Sequence, residues 1–126
     1  AMNEMTLEYS KTRVQFGQAI GTFQVVQHRM VDMFMAAEQG KSMAMLATMT
    51  LDEADPAKRA SDMALAKVGI GQSARYVSQS AVQMHGGVGM TDAFDIGFFM
   101  KRARVCQELF GDAAYHADQL ARLKNY

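Results

Sequence analysis

The chain contains 126 residues with a formal net charge of zero at pH 7; 49% of its residues are hydrophobic, with 12 methionines and no tryptophan. A domain of this size can bury a core, and its balanced charge gives no basic field that would attract nucleic acid or an anionic membrane surface. The single cysteine excludes an internal disulfide and suits a reducing cytoplasm, and no apolar run reaches the roughly 18 residues that a membrane span needs.

The first predicted elements are a short helical end and a long helix. Residues 2–12 are expected to close a helix, and the stretch FGQAIG after them is expected to be a loop. Apolar residues then recur at steps of three and four and predict a helix over about residues 22–52. Its apolar stripe comprises Val26, Met30, Met33, Ala37, Gly40, Ala44, Ala47 and Leu51.

A second long helix is predicted from Asp55 to about residue 85. Asp55 is a good N-cap and Pro56 suits the first helical position, so the start of this helix is well marked. Its apolar stripe comprises Met63, Ala66 or Lys67, Ile70, Ala74, Val77, Ala81 and Met84. Gly69 and Gly71 would weaken the helix by up to about 1 kcal/mol each relative to alanine, so we expect them to permit close helix packing.

The remaining residues predict a third helical segment that begins at Thr91 as N-cap and runs towards Leu123, with a break at Gly111. The connection at residues 53–55 is so short that the two long helices must run antiparallel. The predicted fold class is therefore all-α, an up-and-down four-helix bundle, with residues 1–126 as one domain.

Three kinds of catalytic site are disfavoured. No glutamate has a histidine three residues later, and Glu108, Asp112 and His116 are interpreted as a solvated polar helix face rather than as metal ligands. Cys106 lies among apolar residues in a predicted helix and is expected to be a buried structural cysteine. The chain also contains no Gly-x-Ser-x-Gly elbow.

The stretch QMHGGVG, residues 83–89, is the first candidate binding patch. One left-handed glycine suffices to end a helix, whereas this junction holds Gly86, Gly87 and Gly89, with Gln83 one turn before them. Exposed backbone N–H groups at such a junction would suit an anion or a carbonyl-rich ring. A helix cap followed by a plain turn remains the alternative.

The stretch TRVQFGQAIGTFQ, residues 12–24, is the second candidate patch. An arginine such as Arg13 can clamp a pyrophosphate, an aromatic ring such as Phe16 can cover a ligand ring, and Gln24 can bind the edge of an adenine or flavin. An exposed loop with one aromatic plug is the alternative interpretation.

Taken together, the two patches resemble the C-terminal helical domain of the acyl-CoA dehydrogenases. That family carries Tyr-x-x-x-Arg-x-x-Phe-Gly followed by a glutamine, which here reads YSKTRVQFGQAIGTFQ. About sixty residues later it carries Gln-x-x-Gly-Gly-x-Gly, here QMHGGVG, and then a helix with a basic pair, here MKRARV. The resemblance covers essentially the whole chain.

The resemblance implies an FAD-dependent α,β-dehydrogenation of an acyl-CoA thioester, in which a base removes the α-proton and hydride passes to the flavin. It implies electron-transfer flavoprotein as the electron acceptor and a homo- or hetero-oligomer formed through this domain. The residues matching the first motif, Arg13, Phe16 and Gln24, would contact the pyrophosphate and adenosine region of FAD. Those matching the second, Gln83, Gly86 and Gly87, would approach the adenosine end across a subunit interface.

Two departures from the family pattern leave alternatives open. Complete members carry an N-terminal helical domain and a middle β domain ahead of this bundle, so this chain is expected to be inactive alone. The usual catalytic glutamate aligns with Phe110, which leaves the base unidentified. Some members place the base on an upstream helix, and paired-subunit members, such as those acting on pimeloyl-CoA, have one defective site. A non-catalytic partner subunit and a free-standing helical interaction module are therefore the competing hypotheses.

Overall fold

The computed structural model describes all 126 residues and is built almost entirely of helix. The α-helices are α1 (Met2–Thr12), α2 (Gln24–Met49), α3 (Pro56–His85), α4 (Ile96–Glu108) and α5 (Ala113–Leu123). Two-residue strands β1 (Val14–Gln15) and β2 (Gln18–Ala19) form an antiparallel hairpin between α1 and α2. The all-α bundle is confirmed, and the loop expected at FGQAIG instead contains half of this hairpin.

Helix α3 is the centre of the bundle and contacts each of the other four helices. Its 30 residues make it about 45 Å long, enough to pack against α2 along most of its length. A Cβ on Gly69 would lie 2.8 Å from the Cγ of Met43, so this glycine does permit close packing of α3 on α2. A Cβ on Gly71 would be 4.0 Å from Ala113, an ordinary contact that does not require glycine.

The start of α3 follows the sequence prediction. The carboxylate of Asp55 accepts a hydrogen bond from the N–H of Ala57 at 2.9 Å, and Pro56 occupies the first helical position. Just beside this cap, Lys58 bridges the carboxylates of Glu53 at 2.7 Å and Asp62 at 3.0 Å. The hydrogen bond from Lys58 lowers the pKa of Glu53, and the same bond, with a second to Asp62, raises the pKa of Lys58.

The hydrophobic core is small, because only 13 of the 126 residues are buried. Its centre is Met33 of α2, Ala81 of α3 and Ile96 of α4, all fully buried. Partly buried residues around that centre are Met2, Met5, Met30, Val77, Val82 and Met84. Methionine thus fills most of the gaps between helices, as its flexible side chain allows.

Part of each predicted apolar stripe is exposed. Ala44 of α2 and Leu51, just after α2, are exposed, while Met43 and Thr50 face the bundle in their place. The packed side of α2 turns along its length because α1 and α3 share its first half, where Asn3 of α1 donates to the carbonyl of Met33. On α3, Met63 and Ile70 are likewise exposed, at 39% and 36%.

Two predictions for the last third of the chain are wrong. Helix α4 begins at Ile96 rather than near Thr91, because residues 86–90 form a 3₁₀ turn that Thr91 closes by donating to the carbonyl of Val88 at 2.8 Å. Cys106 is exposed rather than buried. The face of α4 towards the bundle carries Ile96, Met100, Ala103 and Gln107, and Cys106 lies beside it.

The predicted break at Gly111 is confirmed, since α4 ends at Glu108 and α5 begins at Ala113. Gly111 has a φ of +95°, a conformation that favours glycine, and a Cβ there would meet the ring of Tyr115 at 2.5 Å. Lys67 of α3 caps the end of α4 by donating to the carbonyls of Cys106 and Leu109 at 3.0 and 2.7 Å. None of the helices has the length and apolar composition needed to cross a lipid bilayer.

The substitution Asp55→Ala should lower the free energy of unfolding by about 1 kcal/mol, because the N–H of Ala57 loses its acceptor at the start of α3. Urea unfolding followed by circular dichroism measures the change. Asp52→Ala is the matched control, since that carboxylate is exposed and makes no hydrogen bond. Equal stabilities for the two variants would contradict the capping role of Asp55.

Candidate functional site

The hairpin between α1 and α2 holds a strained and exposed phenylalanine. Phe16 and Gly17 are the two residues that link β1 to β2, and both have positive φ, +55° and +80°, as in a type I′ turn. A left-handed conformation costs a phenylalanine about 1 to 2 kcal/mol. Phe16 is nevertheless 93% exposed, and its ring packs edge-to-face with that of Phe23, with ring centres 6.2 Å apart. Its placement does not serve the packing of this chain.

The two candidate patches meet because α2 starts beside the end of α3. Phe16 and Gln83 line one groove of about 330 Å³, which we call the hairpin groove. Its other lining residues are Gln15, Ile20, Phe23, Val25, Val26, Arg29 and Met84. An adjoining groove of about 270 Å³, the helix groove, shares Arg29 and Gln83 and is completed by Tyr76, Gln79 and Ser80. The structure thus joins residues that lie more than sixty positions apart.

Arg13 and Gln24 are close in sequence to residues that line these grooves, but they do not line the grooves themselves. Arg13 caps α1 by donating its N–H to the carbonyl of Tyr9 at 2.8 Å, and its own carbonyl accepts from the N–H of Ile20 at 2.8 Å. Its backbone therefore anchors the hairpin while its side chain is exposed. Gln24 is the first residue of α2 and is also exposed. The predicted cofactor contacts of both side chains remain predictions.

Arg29 is a lining residue that the sequence analysis missed. It lies one turn after Val25 and Val26, on the groove side of α2. The sequence does carry a signal for the facing wall, because Tyr76, Gln79, Ser80 and Gln83 follow the i, i+3, i+4, i+7 spacing of one helix face.

An aromatic cluster fixes the glycine turn that follows α3. The His85 ring is 4% exposed and stacks on Tyr9 of α1 with ring centres 4.3 Å apart. Phe94, just before α4, packs its edge against both rings at 5.4 Å. Nδ1 of His85 donates to the carbonyl of Ala81 at 2.8 Å, which leaves the buried Nε2 without a partner in the chain. Three segments are therefore held together at the turn.

The reason why glycine is found differs among the three glycine positions of the turn. Gly86 has a φ of +64°, which favours glycine. Gly89 is packed so tightly that a Cβ would lie 2.9 Å from the Cβ of His85 and 3.0 Å from the carbonyl oxygen of Val82. Gly87 has neither constraint, since its φ is not positive and a Cβ there would meet nothing within 4 Å. Nothing inside the chain explains the missing side chain of Gly87.

The turn between α4 and α5 presents Phe110 to the outside. Phe110 has a φ of +61° and is 92% exposed, and its carbonyl is held by Nε2 of His116 at 2.9 Å. The two nearest carboxylates are already engaged: Glu108 pairs with Arg104 at 3.1 Å, and Asp112 caps α5 by accepting from the N–H of Tyr115 at 2.8 Å. No three His, Cys, Asp or Glu side chains come together in a group that could hold a metal ion.

A family model described as "Acyl-CoA dehydrogenase, C-terminal domain" matches residues 1–124. Among curated proteins, the chain is 32% identical to acyl-CoA dehydrogenase IpdE2 of Mycolicibacterium smegmatis over 121 residues, 96% of this chain and 36% of that protein.

Solved structures agree in both fold and family. An FAD complex of PigA superimposes with a TM-score of 0.86 at 30% identity, covering 98% of this chain and 32% of that one. The ChsE4–ChsE5 complex from Mycobacterium tuberculosis superimposes with a TM-score of 0.89 at 25% identity, covering 98% and 33%. The chain thus spans about a third of the length of the proteins it matches.

The substitution Gly89→Ala should lower the free energy of unfolding by about 1 to 3 kcal/mol, because the new methyl group would overlap His85 and the backbone of Val82. Gly87→Ala, two residues away, should change it by less than about 0.5 kcal/mol, because the added methyl group meets open space. Chemical denaturation of both variants tests the contrast. A larger loss for Gly87→Ala than for Gly89→Ala would contradict this account of the turn.

Proposed function

Because the chain belongs to the acyl-CoA dehydrogenase family and corresponds to the C-terminal domain of its members, we propose that it binds FAD and holds subunits together within a longer flavoprotein. That protein catalyses the α,β-dehydrogenation of an acyl-CoA thioester and carries an N-terminal helical domain and a middle β domain upstream of this bundle. The observation that carries the proposal is the hairpin groove, where Phe16 and Gln83 of the two family motifs line one surface.

The groove residues fit part of an FAD molecule. Phe16 offers an exposed aromatic face for a ring, Gln83 offers an amide for hydrogen bonds, and Gly87 leaves backbone open to close approach. Arg13, Gln24 and Gly86 belong to the same two sequence motifs and complete the proposed contact set. When bound, FAD supplies the two-electron oxidant of the reaction, while these residues hold the cofactor and orient it.

The outer surface supports association with other subunits or domains. Large apolar side chains that are more than half exposed include Val25, Val31, Phe34, Met35, Met45, Met49 and Leu51, all on α2 or directly after it. An apolar surface of this extent on a helix, with so few residues buried inside the bundle, is typical of an interface. We propose that this apolar surface of α2 is an interface of a homo- or hetero-oligomer.

We further propose that the full-length protein works in the cytoplasm and passes its electrons to electron-transfer flavoprotein.

Phe110 supports a second candidate function, that of a non-catalytic partner subunit. A phenyl ring cannot accept a proton, and both neighbouring carboxylates are engaged in other contacts. We therefore place the base that removes the α-proton outside residues 1–126, either in another part of the full-length protein or on a different subunit. The ChsE4–ChsE5 complex, to which the chain is similar, is an assembly of two different proteins.

The full-length protein should retain FAD through purification, seen as absorbance between about 350 and 500 nm, and an acyl-CoA substrate should bleach it. Retained flavin that no acyl-CoA bleaches would favour the partner subunit, whereas a protein without flavin would overturn the cofactor assignment.

Arg13→Ala should weaken FAD binding by about 1.5 to 3 kcal/mol if the guanidinium holds the pyrophosphate. Unchanged FAD affinity in Arg13→Ala would remove Arg13 from the contact set.

If Phe110 takes no part in proton transfer, Phe110→Leu should leave the rate of flavin reduction within about threefold of the wild-type rate. Stopped-flow absorbance in a single turnover with a bleaching acyl-CoA measures that rate directly. A loss of several orders of magnitude would show that the aromatic ring itself is needed for the chemistry.

A further inference from the structure

Arg29 occupies a distinctive position where the two grooves meet. It lines both the hairpin groove and the helix groove, and Gln83 is the only other residue that does so. Its side chain is half-buried on the groove side of α2. A ligand lying along the two grooves would therefore pass directly over the guanidinium.

The guanidinium of Arg29 is unpaired. None of the chain's ion pairs involves it, and it makes no side-chain hydrogen bond. It is also the only charged residue among those that line the two grooves, so no carboxylate lies there to neutralise it. A half-buried arginine without a partner is costly to desolvate unless an anion completes its hydrogen bonds.

The neighbours of Arg29 add neutral hydrogen-bonding groups and an aromatic wall. Gln79 and Gln83 contribute amides, and Ser80 and Tyr76 contribute hydroxyls, all on one face of α3. On the hairpin side the wall is apolar and aromatic, with Phe16 and Phe23. This composition matches a ligand that joins a negatively charged group to a flat ring.

A second polar groove of the chain provides a contrast. Lys67, Arg75 and Arg104 line a space of about 330 Å³ between α3, α4 and α5, but Glu108 and Asp112 line it as well. Lys67 donates to two carbonyls and Arg104 pairs with Glu108, so this groove is largely compensated from within. The positive charge of Arg29, by contrast, is not compensated by any side chain that lines its grooves.

We propose that Arg29 binds the pyrophosphate of the dinucleotide cofactor, through charge-assisted hydrogen bonds from its planar guanidinium. The inference rests on the proposed function and adds to it a contact residue outside both family motifs. An arginine in this position presents a fork of donors that matches two phosphate oxygens at once, which a lysine cannot do.

Removing the charge should weaken phosphate binding specifically. In the flavin-free full-length protein, Arg29→Gln should reduce affinity for FAD, ADP and inorganic pyrophosphate about ten- to a hundred-fold, and leave affinity for riboflavin unchanged. Fluorescence quenching measures the flavins and calorimetry measures the other two. Arg29→Lys should restore only part of the lost affinity, and added salt should weaken pyrophosphate binding to the wild type more than to Arg29→Gln.

The matched control is Arg75→Gln, which removes the same charge from an exposed, unpaired arginine of α3 that lines only the compensated groove. It should leave all four affinities at the wild-type values. Thermal unfolding of each flavin-free variant monitors the fold. Equal pyrophosphate affinity in Arg29→Gln and wild type would overturn the inference, as would an equal weakening of riboflavin binding.

The same measurements separate this inference from the proposed function. A wild-type protein that binds pyrophosphate through Arg29 but binds no FAD would overturn the cofactor assignment and leave the anion site in place. A wild-type protein that binds FAD with an affinity independent of Arg29 would overturn the inference and leave the cofactor assignment in place.

Discussion

The stack of Tyr9 on His85 is the contact on which the candidate site depends. It ties the last turn of α1 to the last turn of α3, and Phe94 closes it from the segment before α4. The hairpin follows directly after α1, and Gln83 lies two residues before His85. The aromatic cluster of Tyr9, His85 and Phe94 therefore positions both the hairpin wall and the α3 wall of the hairpin groove. A buried aromatic contact of this kind, with a histidine hydrogen-bonded to Ala81, gives both walls a common rigid support.

Two exposed phenylalanines mark where local strain is retained. Phe16 and Phe110 both have left-handed backbone conformations and are more than nine-tenths exposed, so neither gains burial in return. Each is held by neighbours that over-determine the turn: Gly17 and the hairpin ladder at the first, His116 and Gly111 at the second. Strain of about 1 to 2 kcal/mol at such positions is typical of functional turns. Gly87 is a related case, because nothing inside the chain requires glycine at that position.

Fold class and element boundaries were largely predictable because their signals are local. Asp55 and Pro56 mark a helix start, Gly111 marks a break, and apolar spacing sets the extent of α2 and α3. The errors arose where a neighbour decides the outcome. Thr91 has the chemistry of an N-cap but closes a 3₁₀ turn instead, and Cys106 lies in an apolar context but beside the packed face of α4. Which side of a helix is covered depends on its partners, as Ala44 and Leu51 show.

The sequence by itself determined the family, the helices and the identity of the two motif patches, because motif spacing and helix signals are properties of adjacent residues. Only the tertiary structure decided that Phe16 and Gln83 share one groove, that Arg29 lines the same groove without an ion-pair partner, and that the three glycines have three different structural roles. Those facts depend on the antiparallel packing of α2 on α3 and on the Tyr9–His85 contact, which bring together residues that lie far apart in the sequence. No local pattern encodes such distances, because they are set by which helix faces pack together.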